Sequence, residues 1–194
     1  MDKEMTKERK RTDIKSLTFT AMMAALCCII GPLSIPLGEV PVSLQVLAVY
    51  LCVFALGMKL GTISVGLYLL LGFLGLPVFA GYSGGIQSLL GPTGGYIVGF
   101  AFTAFVMGFV MEHIRVENKA AKVAVQILAM VCGLAVCYLF GTLWFMYVMK
   151  MGLVESLTLC VMPFLLFDAI KMVMAVIMGN ALRAALSKAN LMHY

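Results

Sequence analysis

Long apolar runs, separated by short polar or glycine-rich stretches, dominate this chain from residue 16 onward. A helix needs roughly 20 apolar residues to cross about 30 Å of hydrocarbon, and most of the runs approach that length. They predict six helices, spanning residues 16–30, 44–56, 62–74, 96–111, 123–147 and 157–183. The second and third runs are short, so we expect these helices to extend into the adjoining loops or to tilt little. Pro163 favours a late start for the last helix.

Two of the connecting stretches are rich in glycine and proline. Residues 31–43 contain three prolines and two glycines, and residues 75–95 combine many glycines with two prolines and no charge. Both are predicted to be structured loops rather than helices. At membrane depth such backbone is tolerated only where it is buried in protein or lines a cavity. The other connections are a tight turn at 57–61, a polar stretch at 112–122 and a short loop at 150–156.

The composition indicates an integral membrane protein. Hydrophobic residues make up 62% of the 194 residues and charged residues only 12%, and the mean hydropathy is +1.04. An average soluble domain has about 45–50% apolar and about 25% charged residues, and it could not bury this much apolar surface. We therefore predict an all-α membrane protein with a solvated, mixed-charge tail at 1–15 and a single six-helix domain at 16–194. The first run is long for a signal peptide and no A-x-A-like cleavage site follows it, so we expect it to be retained.

The positive charges predict an orientation. Twelve of the fourteen Lys and Arg residues fall on one side of a six-helix arrangement, in the tail, at Lys59, in the 112–122 stretch and at the C-terminal end, whereas only Lys150 falls on the other side. The positive-inside rule then places both termini in the cytoplasm, and both glycine- and proline-rich loops on the outer face of the cell membrane. The basic residues form no patch interleaved with aromatics, so the net charge of +5 predicts no nucleic-acid partner.

Asp168 and Lys171 are the strongest candidates for chemistry. They are three residues apart inside an apolar run, so they share one face of the last helix. A charge at the bilayer centre costs at least about 2.5–3.5 kcal/mol, and such residues normally face the interior of the bundle. The pair either neutralises itself as a structural ion pair or anchors a small ligand that has both donors and acceptors, such as one with an acid or amide group.

Further polar candidates lie in the outer loops and at the start of the second helix. Glycine allows close backbone approach, so N–H groups of the 75–95 loop could bind a polar head group; the alternative is a re-entrant loop that only seals the outer end. Gln45 is expected to bond a neighbouring helix or a ligand, whereas Glu39 is expected to be a solvated loop charge. The side chains expected to assist the loop are Tyr82, Ser83, Gln87, Thr93 and Tyr96.

Enzymatic signatures are weak. Residues 81–85 read G-Y-S-G-G and match the G-x-S-x-G nucleophile pattern, but that pattern requires a strand-turn-helix context. An intramembrane serine hydrolase built on Ser83 would also need a histidine, and His113 and His193 both fall at the cytoplasmic ends of the predicted bundle. The sequence contains no Walker A motif and no metal-ligand cluster, and its six cysteines lie in apolar runs without zinc-like spacing. We therefore expect no catalytic residues, no metal and no cofactor.

Two small residues on the first helix suit helix–helix contact. Ala21 and Ala25 form a small-xxx-small pair, which lets helices approach closely. The pair either packs within the bundle or docks a second membrane protein.

Several segments together resemble the BioY family, the biotin-binding S components of energy-coupling factor transporters. The similar segments are residues 75–81 (GLPVFAG), 91–100 (GPTGGYIVGF) and 41–45 (PVSLQ), Pro163-Phe164 followed by Asp168-x-x-Lys171, and Ala21-x-x-x-Ala25. The resemblance covers nearly the whole chain after residue 16.

The resemblance implies a six-helix subunit that binds biotin from outside, in a pocket roofed by the outer loops. Asp168 and Lys171 would contact polar groups of biotin, and Ala21 and Ala25 would contact a transmembrane coupling subunit, while two ATPase subunits supply the energy. Some members of the family carry an arginine near the GPTGG segment, but residues 60–114 of this chain contain no Arg or Lys. An S component for another vitamin, an intramembrane hydrolase and a scaffold without a ligand are the alternatives.

Overall fold

The computed structural model describes residues 2–36, 40–114 and 116–188, with side chains from residue 14 onward. Glu39, Arg115 and His193 lie outside this part of the chain. The elements, in chain order, are α1 (Asp2–Ile30), β1 (Ser34–Ile35), β2 (Val42–Ser43), α2 (Gln45–Phe73), α3 (Ile86–Leu90), α4 (Gly94–His113), α5 (Lys119–Met149), α6 (Leu153–Cys160) and α7 (Met162–Lys188).

Apolar helices dominate the fold. Four of them, α2, α4, α5 and α7, are long and apolar enough to cross a membrane, and α1 adds a shorter apolar stretch, Ile14–Ile30. The predicted all-α class is therefore confirmed. Helix α1 begins at Asp2, so its backbone continues through the segment that was predicted to be a solvated tail.

Helix α2 is a hairpin of two helical arms, residues 45–56 and 58–73. Gly57 interrupts it with φ 75° and ψ −170°, a conformation that is essentially restricted to glycine. The side-chain amide of Gln45 donates to the hydroxyl of Tyr68 over 2.7 Å, although residues 23 apart on one straight helix would be separated by about 35 Å. A Cβ placed on Gly61 would lie 3.0 Å from the carbonyl oxygen of Cys52. The two arms therefore run back along each other, as the separate predicted helices at 44–56 and 62–74 require.

The break in α2 is tighter than the predicted turn at 57–61. The helix resumes at Met58, whose backbone N–H donates to Oε1 of Glu112 over 2.8 Å. Because the first N–H groups of a helix have no partner within it, the carboxylate at the end of α4 serves as an external cap for the second arm.

The segments predicted to be structured loops contain short regular elements and meet at one end of the bundle, called here the loop end. Strands β1 and β2 pair antiparallel, with Ser34 opposite Ser43. The second loop contains a 3-10 turn at Ala80–Tyr82 and helix α3. The backbone N–H of Gly81 donates to the carbonyl of Pro32 over 3.0 Å, so the two loops contact each other and form one roof.

The last third of the chain differs from prediction in one place. A loop was expected at 150–156 and a helix from residue 157, but α6 already begins at Leu153 and a break at Val161 separates it from α7. The predicted loop end at 156 and helix start at 157 are therefore wrong, whereas the late start that Pro163 favours is confirmed, because α7 begins at Met162. Pro163 occupies the first turn of α7, where its missing N–H costs nothing because that donor would have no helical partner.

The core surrounds the first arm of α2, in which every residue from Gln45 to Leu56 is buried. Polar contacts join the surrounding helices. Thr103 of α4 donates to the carbonyl of Gly133 on α5 over 3.0 Å, and Ser64 of the second arm donates to the carbonyl of Thr20 on α1 over 3.0 Å. The outward faces of α5 and α7 carry exposed large apolar side chains, as expected for helices that contact lipid.

Candidate ligand-binding site

A cavity of about 220 Å³ lies beneath the roof at the loop end. Its walls come from the start of α2, from the two glycine- and proline-rich loops, and from α4, α5, α6 and α7. Most of the wall is apolar, including the side chains of Val46, Phe79, Ile97, Phe100, Leu134 and Phe164. The polar side chains that reach it are Ser43, Gln45, Ser83, Thr93, Tyr96, Tyr138, Asp168 and Lys171.

Three of these polar groups form a connected cluster. The ammonium of Lys171 donates to Oδ1 of Asp168 over 2.7 Å, and the hydroxyl of Tyr138 donates to Oδ2 over 2.5 Å. Asp168 and Lys171 are only 3% and 5% exposed. Each carboxylate oxygen therefore has one donor, and the charge of Asp168 is balanced inside the protein.

The cluster keeps capacity for a ligand. An ammonium group has three donors, and Asp168 is the one acceptor found for Lys171 in the described part of the chain. Each carboxylate oxygen can accept more than one hydrogen bond. Because both side chains line the cavity, their unused donors and lone pairs are available to a polar group placed there.

Gln45 belongs to a second network that links the roof to the bundle. Its Oε1 accepts from the hydroxyl of Ser43 over 2.9 Å, and its Nε2 donates to the hydroxyl of Tyr68. Tyr68 in turn donates to the carbonyl of Val78 over 3.0 Å. Both alternatives predicted for Gln45 are therefore compatible with its position: it bonds the neighbouring helix, and it faces the cavity with one N–H remaining.

The predicted loop residues separate into two groups. Ser83, Thr93 and Tyr96 line the cavity, with the hydroxyl of Tyr96 also directed at the carbonyl of Cys160 over 3.4 Å. Tyr82 and Gln87 do not line it, and both side chains are exposed. The structure thus brings Asp168, Lys171, Gln45 and these three residues around one space.

The serine of the G-x-S-x-G match has no catalytic surroundings. The hydroxyl of Ser83 donates to the carbonyl of Ala80 over 2.9 Å, and no histidine is among the residues that line the cavity. His113 ends α4 at the opposite end of the bundle and stacks on Phe109. Within the described residues there is also no group of three or more metal-ligating side chains.

Sequence reasoning missed Tyr138, Ser43 and the aromatic wall residues. Tyr138 lies 30 residues before Asp168, and a single tyrosine in an apolar helix carries no distinguishing signal. Ser43 falls inside the PVSLQ segment that was noted for its resemblance, but nothing in the pattern connects its hydroxyl to Gln45.

Ala21 and Ala25 lie on the surface of α1. Both are exposed, whereas Ala24 and Cys27 on the same helix are buried against the bundle. The small-xxx-small pair therefore faces outward in this chain, away from the helices with which α1 packs.

The chain is similar to known proteins over most of its length. The model of the BioY family matches residues 3–188. The biotin transporter BioY of Thermotoga maritima is 39% identical over 171 residues, which are 88% of this chain and 94% of that protein. BioY2 of Lactococcus lactis, also a biotin transporter, is 35% identical over 93% of this chain and 97% of its own. The crystal structure of the S-component for biotin from an ECF-type ABC transporter superposes with a TM-score of 0.80 at 34% identity, covering 90% of this chain and 93% of that one. This chain belongs to the BioY family.

Proposed function

We propose that this chain is the biotin-binding S component of an energy-coupling factor transporter, a transport subunit rather than an enzyme. The names of its relatives and the similar fold of a biotin S-component support the assignment. The observation that carries it is the buried Asp168–Lys171 pair facing a largely apolar cavity. Such a cavity, with a few placed polar groups, is the common form of a small-molecule site.

The chemistry of biotin matches both the apolar and the polar side chains that line the cavity. Its ring body and aliphatic chain suit the apolar side chains, and its ureido and carboxylate groups need donors and acceptors. In the proposal, Asp168 accepts from an N–H of the ligand, and Lys171 donates to an oxygen. Because residues 60–114 contain no Arg or Lys, the carboxylate of the ligand depends on Lys171 and on neutral donors.

The neutral donors come from the remaining residues of the site. They are the remaining N–H of Gln45 and the hydroxyl of Thr93, both of which line the cavity. The hydroxyls of Ser83 and Tyr96 also line it, but they are directed at the carbonyls of Ala80 and Cys160 and would have to turn from these to donate to the ligand. Tyr82 and Gln87, which lie outside it, stay predictions from the sequence.

Equilibrium binding of biotin to the purified, detergent-solubilised protein tests the proposal. We expect tight binding by the parent and a loss of binding in folded Asp168→Asn and Lys171→Met variants, since the first weakens the acceptor and the second removes the donor that are proposed to contact the ligand. Glu117→Gln and Lys59→Met make the same chemical changes at exposed positions and should bind like the parent. A folded parent that does not bind biotin would exclude biotin as the substrate and leave another vitamin-like ligand to be found.

We further propose six membrane crossings, made by α1, the two arms of α2, α4, α5 and α7, with both termini in the cytoplasm and the loop end outside. Helix α6, with 8 residues, is too short to cross. The orientation is supported by the positive-inside bias of the Lys and Arg residues. The test uses intact cells that express a cysteine-free variant of the protein. Lys150→Cys in this variant should react with an impermeant maleimide, and Lys188→Cys should react only after the cells are opened. The reverse pattern would overturn this topology.

Transport requires partners that this chain does not contain. We propose a transmembrane coupling subunit that contacts Ala21 and Ala25, together with two ATPase subunits. The absence of a Walker A motif is consistent with this division of roles. Cysteines at the two alanines should cross-link to the coupling subunit in a transport-competent complex; if neither does, α1 is not the docking helix.

A further inference from the structure

The turn between α3 and α4, residues 91–95, forms part of the wall of the ligand cavity. Thr93 of this turn and Tyr96 in the first turn of α4 both line the cavity. Thr93 immediately precedes α4, but its side chain accepts no capping hydrogen bond from that helix. The direction in which its hydroxyl can donate therefore depends on how the backbone of the turn is held.

Trp144 of α5 holds this turn from outside the cavity. Its indole N–H donates to the carbonyl of Gly91 over 3.0 Å, between residues 53 apart in sequence. The backbone N–H of Gly94 donates to the same carbonyl over 3.0 Å, so the bond from Trp144 reaches the point at which the turn closes on itself. Trp144 does not line the cavity, and it is the single tryptophan of the chain.

Close packing between the turn and α5 supports this contact. A Cβ placed on Gly94 would lie 3.0 Å from the indole nitrogen of Trp144, and a Cβ placed on Gly95 would overlap the side chain of Trp144. About one turn earlier on α5, a Cβ on Gly141 would overlap the ring of Tyr96. The turn and the start of α4 therefore lie directly against α5, with no space for a further side chain between them.

We propose that Trp144 is a positioning residue of the ligand site, acting on the hydroxyl of Thr93 through the 91–95 turn. The inference rests on the proposed function, in which Thr93 donates to a polar group of biotin. Without the indole N–H, the carbonyl of Gly91 loses its hydrogen bond to α5. Because glycine leaves the backbone unusually free, a turn with glycines at 91, 94 and 95 then shifts more easily, and the hydroxyl of Thr93 is less well placed for the ligand.

A double-mutant cycle on the full-length protein in detergent tests the proposal, with equilibrium biotin binding as the measurement. Trp144→Phe keeps an aromatic ring next to the glycines and removes the donor. We expect it to weaken binding about three- to tenfold, mainly through faster dissociation. Thr93→Val removes the hydroxyl that the turn presents, so in a Thr93→Val background the same change at Trp144 should alter the affinity by less than about twofold.

Thr103→Val is the matched control for a purely structural effect. Thr103 also joins α4 to α5, by donating to the carbonyl of Gly133, but it does not line the cavity. Its loss should lower the midpoint of thermal unfolding without weakening biotin binding. Parent-like affinity of Trp144→Phe would overturn the proposal, and so would an equal loss of affinity with and without the hydroxyl of Thr93.

Hydrogen–deuterium exchange of the ligand-free protein tests the hold of Trp144 on the turn without relying on biotin. The backbone N–H groups of residues 91–97 should exchange about tenfold faster in Trp144→Phe than in the parent or in Thr103→Val, and unchanged exchange would overturn the proposal. A parent that does not bind biotin would overturn the proposed function, and with it the role of Trp144 in ligand binding, whatever the exchange shows. If Trp144→Phe does not fold, Trp144→β-(3-benzothienyl)alanine, which keeps the shape of the indole and lacks its N–H, takes its place in both measurements.

Discussion

Asp168 is buried in the wall of the cavity near the start of α7, where a charge without a partner would strongly destabilise the fold. Lys171 balances the charge from the same helix, and Tyr138 reaches the second oxygen from α5. Because a carboxylate held by two donors cannot rotate without losing a hydrogen bond, its remaining lone pairs keep a fixed direction towards the cavity. We therefore expect Tyr138 to position Asp168 for the proposed ligand.

Tyr138→Phe removes one hydrogen bond to Asp168 and keeps the ring. Hydrogen bonds to charged groups contribute about 1.5–3 kcal/mol, so we expect biotin affinity to fall by about tenfold to a hundredfold while the protein stays folded. Equilibrium binding measures the effect. Tyr147→Phe is the control on the same helix, where the side chain is 77% exposed. Parent-like affinity in Tyr138→Phe would show that Lys171 alone orients the carboxylate.

Tyr68 contributes to stability rather than to charge balance. It is fully buried, accepts from Gln45 and donates to the carbonyl of Val78. Tyr68→Phe leaves both partners without this hydroxyl in a closed interior, and we expect unfolding in detergent to require about 1–3 kcal/mol less. The midpoint of thermal unfolding measures this, with exposed Tyr82→Phe as the control. Equal midpoints for the two variants would mean that the network adds nothing to stability.

At the residue scale, the sequence predicts what is chemically unusual and misses what is common. Asp168 and Lys171 could be recognised because charges inside an apolar run need a reason. Tyr138 could not be recognised, since a tyrosine with its apolar ring and one polar hydroxyl is common in membrane helices, and its partner is far along the chain. The same holds for Ser43, whose hydroxyl becomes relevant only after the roof folds against α2.

At the element scale, one residue decides the path of α2. The φ of 75° and ψ of −170° at Gly57 lie in a region that is open to glycine and strained for any residue with a Cβ. The two arms that it joins contain many of the buried residues at the centre of the protein. Any change that disfavours this conformation therefore acts on the whole core.

Gly57→Ala should lower the free energy of unfolding by about 1–3 kcal/mol, the usual cost of one strained backbone conformation. Gly66→Ala is the matched control, because Gly66 is exposed in the second arm and a Cβ there meets nothing within 4 Å. That change should be neutral or stabilising. Thermal unfolding of both variants in the same detergent tests the expectation. If Gly57→Ala unfolds at the same temperature as Gly66→Ala, the break is not strained.

The sequence predicts best those helices that have a long apolar run bounded by clear helix-breaking or polar residues. Helices α4 and α5 contain the predicted spans 96–111 and 123–147 and extend them by two to four residues. The short helix α6 was missed because its residues were divided between a predicted loop and the predicted last helix. The late start that Pro163 favours agrees with α7, since proline is compatible with the first turn of a helix. The short strands and turns of the roof have no periodic signal at all.

At the scale of the whole molecule, the two ends of the bundle are built differently. The loop end closes a small, largely apolar cavity with hydrogen-bonded loops, and the opposite end opens into a larger and more polar cleft. The outward small-residue pair on α1 belongs to neither. We therefore expect capture of the ligand and contact with partners to use separate surfaces, so that a change at one surface leaves the other intact.

Enlarging the α1 pair tests this separation. Ala21 and Ala25 are exposed on α1, so the purified Ala21→Trp and Ala25→Trp variants should bind biotin like the parent. In cells that supply the coupling and ATPase subunits, each should reduce biotin uptake about tenfold or more, because a tryptophan prevents the close approach that small residues permit. Ala124→Trp, exposed on α5, should leave uptake and binding unchanged. Loss of binding together with uptake would show that α1 shapes the cavity, and normal uptake in both α1 variants would mean that the coupling subunit docks on another face.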